Sequence, residues 1–186
     1  MVATEILGIE TGSSTAWIGG HWPIANESGG YHGLLKTWFD HFGLQGTGLV
    51  VGESGKAGES VKNAFRSEYD VEVYSVDLVN ADIVWDITKP LDTDERYDWI
   101  VCQATLEHVK DPVASVRNMG SVLKKGGRLY IHTCGPGFPY HPYPVDCFRF
   151  FRDALVAMAE IASLEIDDML WTDSHCFAVY RSRSDD

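Results

Sequence analysis

The stretch GLVVGESGKAGESVKNAFRSEYDVEVYSVD, from Gly48 to Asp77, decides the fold of this chain. It opens with Gly48–Gly52, an apolar run typical of a buried strand, and closes with Val71–Asp77, which indicates a second strand. Between them, Glu59–Tyr69 has the spacing of a helix. A strand, a helix and a strand in this order predict a parallel β-α-β unit, on which doubly wound sheets are built.

The alternation continues on both sides of this unit. Helical spacing precedes it over Tyr31–Leu44. After it we expect strands at Asp82–Trp85, Asp98–Cys102 and Gly127–Thr133, and helices at Asp111–Leu123 and Asp153–Ala162. The last two strands, Leu164–Trp171 and Cys176–Arg181, are too close for a crossover helix and predict an antiparallel hairpin. The expected fold is α/β: a single-domain, Rossmann-like, doubly wound sheet of about seven strands, mostly parallel, with an antiparallel C-terminal hairpin.

Length and composition agree with one domain. The chain has 186 residues, of which 45% are apolar, enough for a core without disulfides or metals. Residues 31–186 are the expected domain. Residues 1–30 show no firm periodicity and are interpreted as an N-terminal arm or lid.

The charge and the cysteines narrow the class of partner. A formal net charge of −12 repels phosphate backbones and anionic lipid, so we expect neither nucleic acid nor membrane as a partner. The four cysteines form no C-x-x-C pair, which favours reduced thiols. The sequence begins without a basic segment, and no apolar run approaches the ~20 residues of a membrane span. The expected location is therefore the cytoplasm.

The first β-α-β unit carries the elements of a nucleoside site. Gly52, Gly55 and Gly58 fall in the turn between strand and helix, where backbone can approach a ligand closely. Asp77 ends the second strand, where a carboxylate can accept both ribose hydroxyls. A glycine-rich turn without a ligand and a solvated carboxylate are the alternatives. An NAD-binding domain explains these features equally well.

The next segments distinguish the two kinds of nucleotide domain. They read DIVWDITKPL (82–91), YDWIVCQATLEHVKDP (97–112) and VLKKGG (122–127). In this order they resemble class I S-adenosylmethionine-dependent methyltransferases that act on small molecules. The resemblance covers about residues 46–181 and implies S-adenosyl-L-methionine as the cofactor.

The resemblance also implies a set of cofactor-binding residues. Asp77 would bind the ribose, Asp86 the adenine amine, and the residues after the fourth strand the sulfonium region. Glu107 and His108 would fix loop geometry. The sequence departs from the family pattern at Val50, where an acidic residue is usual, and Glu53 is expected to replace it. The implied residues are Gly52, Glu53, Gly55, Gly58, Asp77, Leu78, Asp86, Ile87, Gln103 and Ala104.

The loop after the fifth strand is the expected acceptor wall, because ligands of open α/β sheets lie beyond the carboxyl ends of the strands. Its H-x-x-P-x-D-x-F-R-F stretch, 141–150, resembles methyltransferases of sugar and polysaccharide pathways. We therefore expect a small-molecule acceptor with a sugar-like hydroxyl. His141 and Asp146 are the candidate catalytic residues, His141 as the general base. An ordinary loop histidine and a pairing of Asp146 with Arg149 are the alternatives.

Other interpretations remain open at this point. The histidines, Asp146 and the cysteines match no standard zinc spacing, so the sequence predicts no metal site. A non-catalytic protein that binds a nucleoside cofactor is the main alternative function. A nicotinamide-dependent oxidoreductase is disfavoured, since it explains neither LEHV nor VLKKGG and no Tyr-x-x-x-Lys pair is present. A homodimer is expected if a second subunit, rather than the arm, closes the site.

Overall fold

The computed structural model describes residues 30–184, so all but the last residue of the predicted arm (residues 1–30) lies outside the described residues. The strands are β1 (Thr47–Val51), β2 (Glu72–Asp77), β3 (Ile83–Val84), β4 (Tyr97–Gln103), β5 (Leu123–Cys134), β6 (Leu164–Trp171) and β7 (His175–Ser182). The helices are α1 (Gly30–Phe42), α2 (Gly55–Tyr69), α3 (Pro112–Ser121) and α4 (Arg152–Ile161), with a short 3₁₀ helix at Leu106–His108.

The predicted sheet is confirmed. Its seven strands have the order β3-β2-β1-β4-β5-β7-β6. Strands β1 to β5 pair in parallel, whereas β7 is antiparallel to both of its neighbours. The C-terminal hairpin is therefore confirmed, with β7 lying inside the sheet and β6 at its edge.

Helices cover both faces of the sheet, as a doubly wound fold requires. Trp38 and Phe39 of α1 belong to one apolar cluster, against which Phe65 of α2 packs. Met119 of α3 and Leu155 of α4 belong to the second cluster, on the other face. Between residues 30 and 184, no helix combines the length and apolar character needed to cross a membrane.

Helix boundaries follow local capping chemistry. As predicted, Asp111 caps α3: its carboxylate accepts a hydrogen bond from the Ala114 N–H at 2.9 Å, with Pro112 in the first turn. The helix ends at Ser121 because the chain enters β5 at Leu123, earlier than the predicted Gly127.

The buried face of α2 differs from its helical spacing at one position. That spacing predicts that Ala64 faces the core, but Ala64 is exposed.

The link between β2 and β3 is the main departure from regular alternation. Only residues 78–82 join these parallel strands, with no crossover helix. Asp82 holds the link together: its Oδ2 accepts bonds from the N–H and hydroxyl of Ser75 at 2.8 and 3.0 Å. The same oxygen pairs with the ammonium of Lys62, whose side chain is 4% exposed. The five-residue link leaves the β2 end of the sheet uncovered, and Leu78 and Val79 are exposed there.

Candidate functional site

A cavity of about 650 Å³ lies at the carboxyl ends of β1 and β2. It extends from the turn after β1 to the 3₁₀ helix after β4 and the loop after β5. Its volume falls in the range of small-molecule and cofactor sites. Six of the ten predicted cofactor residues line it: Gly52, Asp77, Leu78, Asp86, Ile87 and Ala104.

Gly52 shapes the floor of this cavity. Its φ is +84°, and its N–H donates to the Val76 carbonyl at 2.8 Å. A Cβ at this position would lie 2.2 Å from the Thr105 hydroxyl. The turn therefore requires glycine both for its conformation and for its space.

The other two glycines of the turn are not among the residues that line the cavity, and both make close backbone contacts. Gly55 begins α2 with φ +53°, and its N–H donates to the Asn80 carbonyl at 2.9 Å. Gly58 is buried, and a Cβ there would lie 3.2 Å from the Glu53 backbone. They hold the start of α2 against the end of β2.

Two carboxylates line the cavity. The Asp77 Oδ1 accepts the Leu78 N–H at 2.6 Å, which fixes the carboxylate at the strand end. The Asp86 Oδ1 accepts both the N–H and the hydroxyl of Thr88, at 3.0 and 2.7 Å. Those bonds, the hydroxyl first, hold the pKa of Asp86 below its usual value, so it is an anion at neutral pH. Each residue keeps an Oδ2 atom that these bonds do not use.

Glu53 and Gln103 line a second, more apolar cavity of about 350 Å³ between α1 and α2. Burial, together with the nearby Asp77 charge, raises the pKa of Glu53. The first cavity is continued by Ala104, which has φ +47° and donates its N–H to the His132 carbonyl at 2.9 Å. The predicted residues of the methionine end thus divide between two neighbouring cavities.

The loop after β5, the expected acceptor wall, also lines the cavity that holds the predicted cofactor residues. Tyr143, Pro144 and Val145 line the first cavity beside His108. The His108 Nδ1 lies 2.5 Å from the Val145 carbonyl oxygen, which can only accept, so Nδ1 carries the proton. The expected acceptor loop and the cofactor cavity are therefore contiguous.

The two candidate catalytic residues lie next to each other in this loop. Asp146 has a side chain that is 1% exposed, and both of its oxygens accept from the Arg149 guanidinium. This guanidinium holds the pKa of Asp146 well below its usual range. Asp146 also accepts the backbone N–H of His141 at 2.8 Å. Asp146 is therefore held by Arg149 and lies against His141, whose side chain is about one-third exposed.

Glu107 connects this loop to the end of β5. Its carbonyl accepts the N–H groups of Cys147 and Phe148 at 2.7 and 3.2 Å, which agrees with the expected loop-fixing role. Its fully buried carboxylate accepts the Thr133 hydroxyl at 2.7 Å and the Cys134 thiol at 3.1 Å. The LEHV motif marked Glu107, but only the fold reveals these contacts across the chain.

A sheet of order β3-β2-β1-β4-β5-β7-β6, with a cavity lined by Gly52, Asp77 and Asp86, is the arrangement expected of a class I S-adenosylmethionine-dependent methyltransferase. The model of the family described as "Methyltransferase domain" matches residues 27–171. The chain belongs to this family.

Partial sequence matches connect the chain to curated O-methyltransferases. The ubiquinone biosynthesis O-methyltransferase of Coxiella burnetii (strain Dugway 5J108-111) is 35% identical over 51 residues, which are 27% of this chain and 22% of that protein. The enzyme of the same name from Xanthomonas euvesicatoria pv. vesicatoria is 46% identical over 37 residues, 20% of this chain and 16% of that one. The match spans only about a fifth of the length of these relatives.

Solved structures share the fold at low sequence identity. The Burkholderia thailandensis 1,6-didemethyltoxoflavin-N1-methyltransferase, with its acceptor and S-adenosylhomocysteine bound, has a TM-score of 0.61 at 18% identity. The alignment covers 78% of this chain and 75% of that one. The [4+2]-cyclase SpnF has a TM-score of 0.68 at 12% identity, over 89% of this chain and 87% of its own. At such identities the likeness shows the fold alone.

Proposed function

We propose that this protein binds S-adenosylmethionine in the cavity at the ends of β1 and β2 and transfers the methyl group to a small acceptor. The observation that supports this most directly is the placement of Asp77 and Asp86 on one cavity that begins at Gly52. A nucleoside needs such partners for its ribose and its base, close to an exposed backbone turn. Asp77 would accept from the ribose, and the Asp86 Oδ2 from the adenine amine.

The bound cofactor would supply an electrophilic methyl group, so the protein mainly has to align donor and acceptor. Leu78 and Ile87 would offer apolar contact to the adenine, and Ala104 would lie at the methionine end; all three line the cavity. Tyr143 and Val145, which belong to the loop that would face the acceptor, line the same cavity. The methyl transfer itself needs no general base from the protein unless the acceptor arrives protonated.

An oxygen atom is the acceptor that we favour. Two curated relatives are named O-methyltransferases, and the 141–150 stretch resembles enzymes of sugar and polysaccharide pathways. His141 is about one-third exposed in that stretch, and in this proposal it would face the acceptor. Cytoplasmic location belongs to the same proposal, supported by four cysteines that form no disulfide.

Thermal melts with two ligands test the cofactor assignment. Ligand binding to the folded state raises apparent stability by about 2.7 kcal/mol at a hundredfold excess over the dissociation constant. S-adenosylhomocysteine should raise the melting temperature, and NAD(H) at the same concentration should not. A shift with NAD(H) alone would contradict the proposal and favour the oxidoreductase.

Turnover distinguishes an enzyme from a protein that only binds the cofactor. Labelled S-adenosylmethionine is offered with matched acceptors, each pair identical except for a hydroxyl or an amine at one position. We expect label on a hydroxyl compound. Cofactor binding without transfer to any member of a broad set would favour the non-catalytic alternative.

A further inference from the structure

The Glu107 carboxylate is an unusual group for the interior of a protein. It is fully buried, and within residues 30–184 its ion pairs are those with His108 and His141, at 3.9 and 3.8 Å. Both distances are too long for a hydrogen bond. A buried carboxylate is costly unless a cation or strong hydrogen bonds balance it. The Thr133 hydroxyl and the Cys134 thiol donate to it, and the Arg149 guanidinium lies close enough to interact with it.

Two imidazoles lie near one oxygen of this carboxylate. The Nε2 atoms of His108 and His141 are 3.9 and 3.8 Å from the same atom, Glu107 Oε1. Carboxylate oxygen and imidazole nitrogen are both ligands that zinc takes in proteins.

The Cys134 sulfur completes the cluster. It lies 3.1 Å from Glu107 Oε1, and the ligand atoms of Glu107, Cys134 and His141 all lie within 4.8 Å of one another. Zinc binds oxygen, nitrogen and sulfur at about 2.0–2.3 Å, so two ligands of one ion lie roughly 3–4 Å apart. The oxygen–sulfur and oxygen–nitrogen separations, 3.1 and 3.8 Å, fall in that range.

We propose that Glu107, Cys134 and His141 bind a divalent transition-metal cation, with zinc the expected ion. Carboxylate, thiolate and imidazole together are a ligand set for zinc and not for magnesium or calcium. On binding, the Cys134 thiol releases its proton to solvent, while the carboxylate and the neutral imidazole keep their charge states. Asp146, paired with Arg149 and holding the His141 backbone, positions that ligand.

The proposed metal site also suggests how the acceptor is activated, and this part of the inference rests on the proposed function. Three protein ligands leave a fourth position, the composition of an open rather than a closed zinc site. His108 lines the cofactor cavity and faces the same Glu107 oxygen, so the cation lies beside that cavity. An acceptor hydroxyl in the fourth position loses its proton to solvent more readily, because the cation lowers its pKa. His141 then serves as a ligand of the cation that activates the acceptor, and not as the base.

Cobalt(II) titration tests the site in the full-length protein, after chelator treatment and without cofactor or acceptor. One equivalent should produce a thiolate-to-cobalt charge-transfer band and the intense visible bands of a tetrahedral site. The charge-transfer band should be lost in Cys134→Ser. Affinity should fall at least about 10-fold in His141→Ala, a change in a partly exposed loop that is expected to leave the fold intact.

Cys147→Ser is the matched control. Cys147 is exposed and belongs to the same loop, but its thiol is outside the cluster. This variant should keep both sets of bands. A wild-type protein without the charge-transfer band would overturn the proposal, as would a band that disappears in Cys147→Ser and survives in Cys134→Ser. S-adenosylhomocysteine binding is measured separately, so failure of the metal site leaves the cofactor assignment intact, and the reverse also holds.

Discussion

At the scale of single residues, Asp77 and Asp86 line the same cavity and should contribute unequally to cofactor binding. Charge-assisted hydrogen bonds contribute about 1.5–3 kcal/mol each, and a ribose diol offers two donors where an adenine amine offers one to Asp86. Asp77→Ala should therefore weaken S-adenosylhomocysteine binding at least about 10-fold, and Asp86→Ala distinctly less. Calorimetric titration measures both changes.

Asp94→Ala is the control for this pair, since Asp94 is an exposed carboxylate that lines neither cavity. It removes one charge from an acidic protein without touching the site. Its affinity should match that of the parent. Equal losses in the Asp77 and Asp86 variants would place the ribose elsewhere.

Alanine substitutions at Gly52 and Gly126 allow the cost of backbone strain to be measured separately from the cost of a steric clash. Both have positive φ, +84° and +74°, so alanine at either position costs about 1–2 kcal/mol in the left-handed region. Only at Gly52 would the new Cβ meet a neighbour, the Thr105 hydroxyl, which donates to the Gln103 carbonyl at 2.8 Å.

Gly52→Ala should therefore lower the free energy of unfolding by about 1 kcal/mol more than Gly126→Ala, the worth of that hydrogen bond. It should also reduce S-adenosylhomocysteine affinity, which Gly126→Ala should leave unchanged. Denaturant titrations and calorimetry measure the two effects. If the two variants were indistinguishable in both, the turn at Gly52 would not need its glycine for space.

At the scale of elements, the β2–β3 link depends on Asp82. Its pKa is lowered, chiefly by the Lys62 ammonium, and the pKa of Lys62 is raised, chiefly by Asp82. Asp82→Asn removes the charge opposite a buried ammonium. Asp82 is about one-third exposed and Glu59 remains as a partner at 2.7 Å, so the expected loss is about 2 kcal/mol rather than the 3–5 kcal/mol of a fully buried pair.

The pH dependence of that loss follows from the sign of each shift. A carboxylate with a lowered pKa stabilises the fold above its unfolded value of about 3.9, and this contribution disappears as pH falls through the lowered folded value. For Lys62 the contribution is complete below about pH 10.4 and disappears as pH rises further. The difference between wild type and Asp82→Asn should be constant near neutrality and narrow below about pH 4. Urea titrations at several pH values measure it, with exposed Asp92→Asn as the control; a difference that widens in acid would contradict this account.

The helices and strands also show which parts of the fold could be predicted from the sequence alone. The apolar run before Gly52, the capping Asp111 and the short turn after Trp171 are local patterns, and the strands, the start of α3 and the hairpin followed from them. The strand after β2 was expected at Asp82–Trp85, directly after a short link, but the contact between Asp82 and Lys62 that holds this link could not be predicted, because it joins different elements.

The candidate site divides in the same way. The positions that line the cavity at strand ends, such as Asp77, were predictable because each ends a recognisable strand. The cluster of Glu107, Cys134 and His141 was not, since its members come from three segments with no common spacing. The alternative that Asp146 pairs with Arg149, by contrast, was recognisable from residues three apart.

At the scale of the whole molecule, the two cavities present a choice of ligand site. The larger lies across the ends of β1 and β2 and is lined by Asp77 and Asp86. The smaller, between α1 and α2, is lined by Glu53 and Glu68 and is more apolar. Glu53 and Gln103 belong to the second cavity, although the resemblance assigns them to the cofactor. A homodimer stays a prediction, and it bears on this choice because a second subunit would close one of the two openings.

Hydrogen exchange with and without S-adenosylhomocysteine decides which cavity the cofactor occupies. Amides that exchange by local opening should be protected at 52–58, 77–80, 85–88 and 104–110, because each of these segments contains residues that line the larger cavity. The exchange rates of amides in helix α2 over 60–69 and in the hairpin over 164–182 should change little. The exception is amides that exchange only by global unfolding, which any stabilising ligand slows. Asp77→Ala should lose the local protection at the same ligand concentration, and Asp94→Ala should keep it. Protection confined to 60–69, with none at 77–80 or 85–88, would instead place the ligand between the helices and contradict the assignment of Asp77.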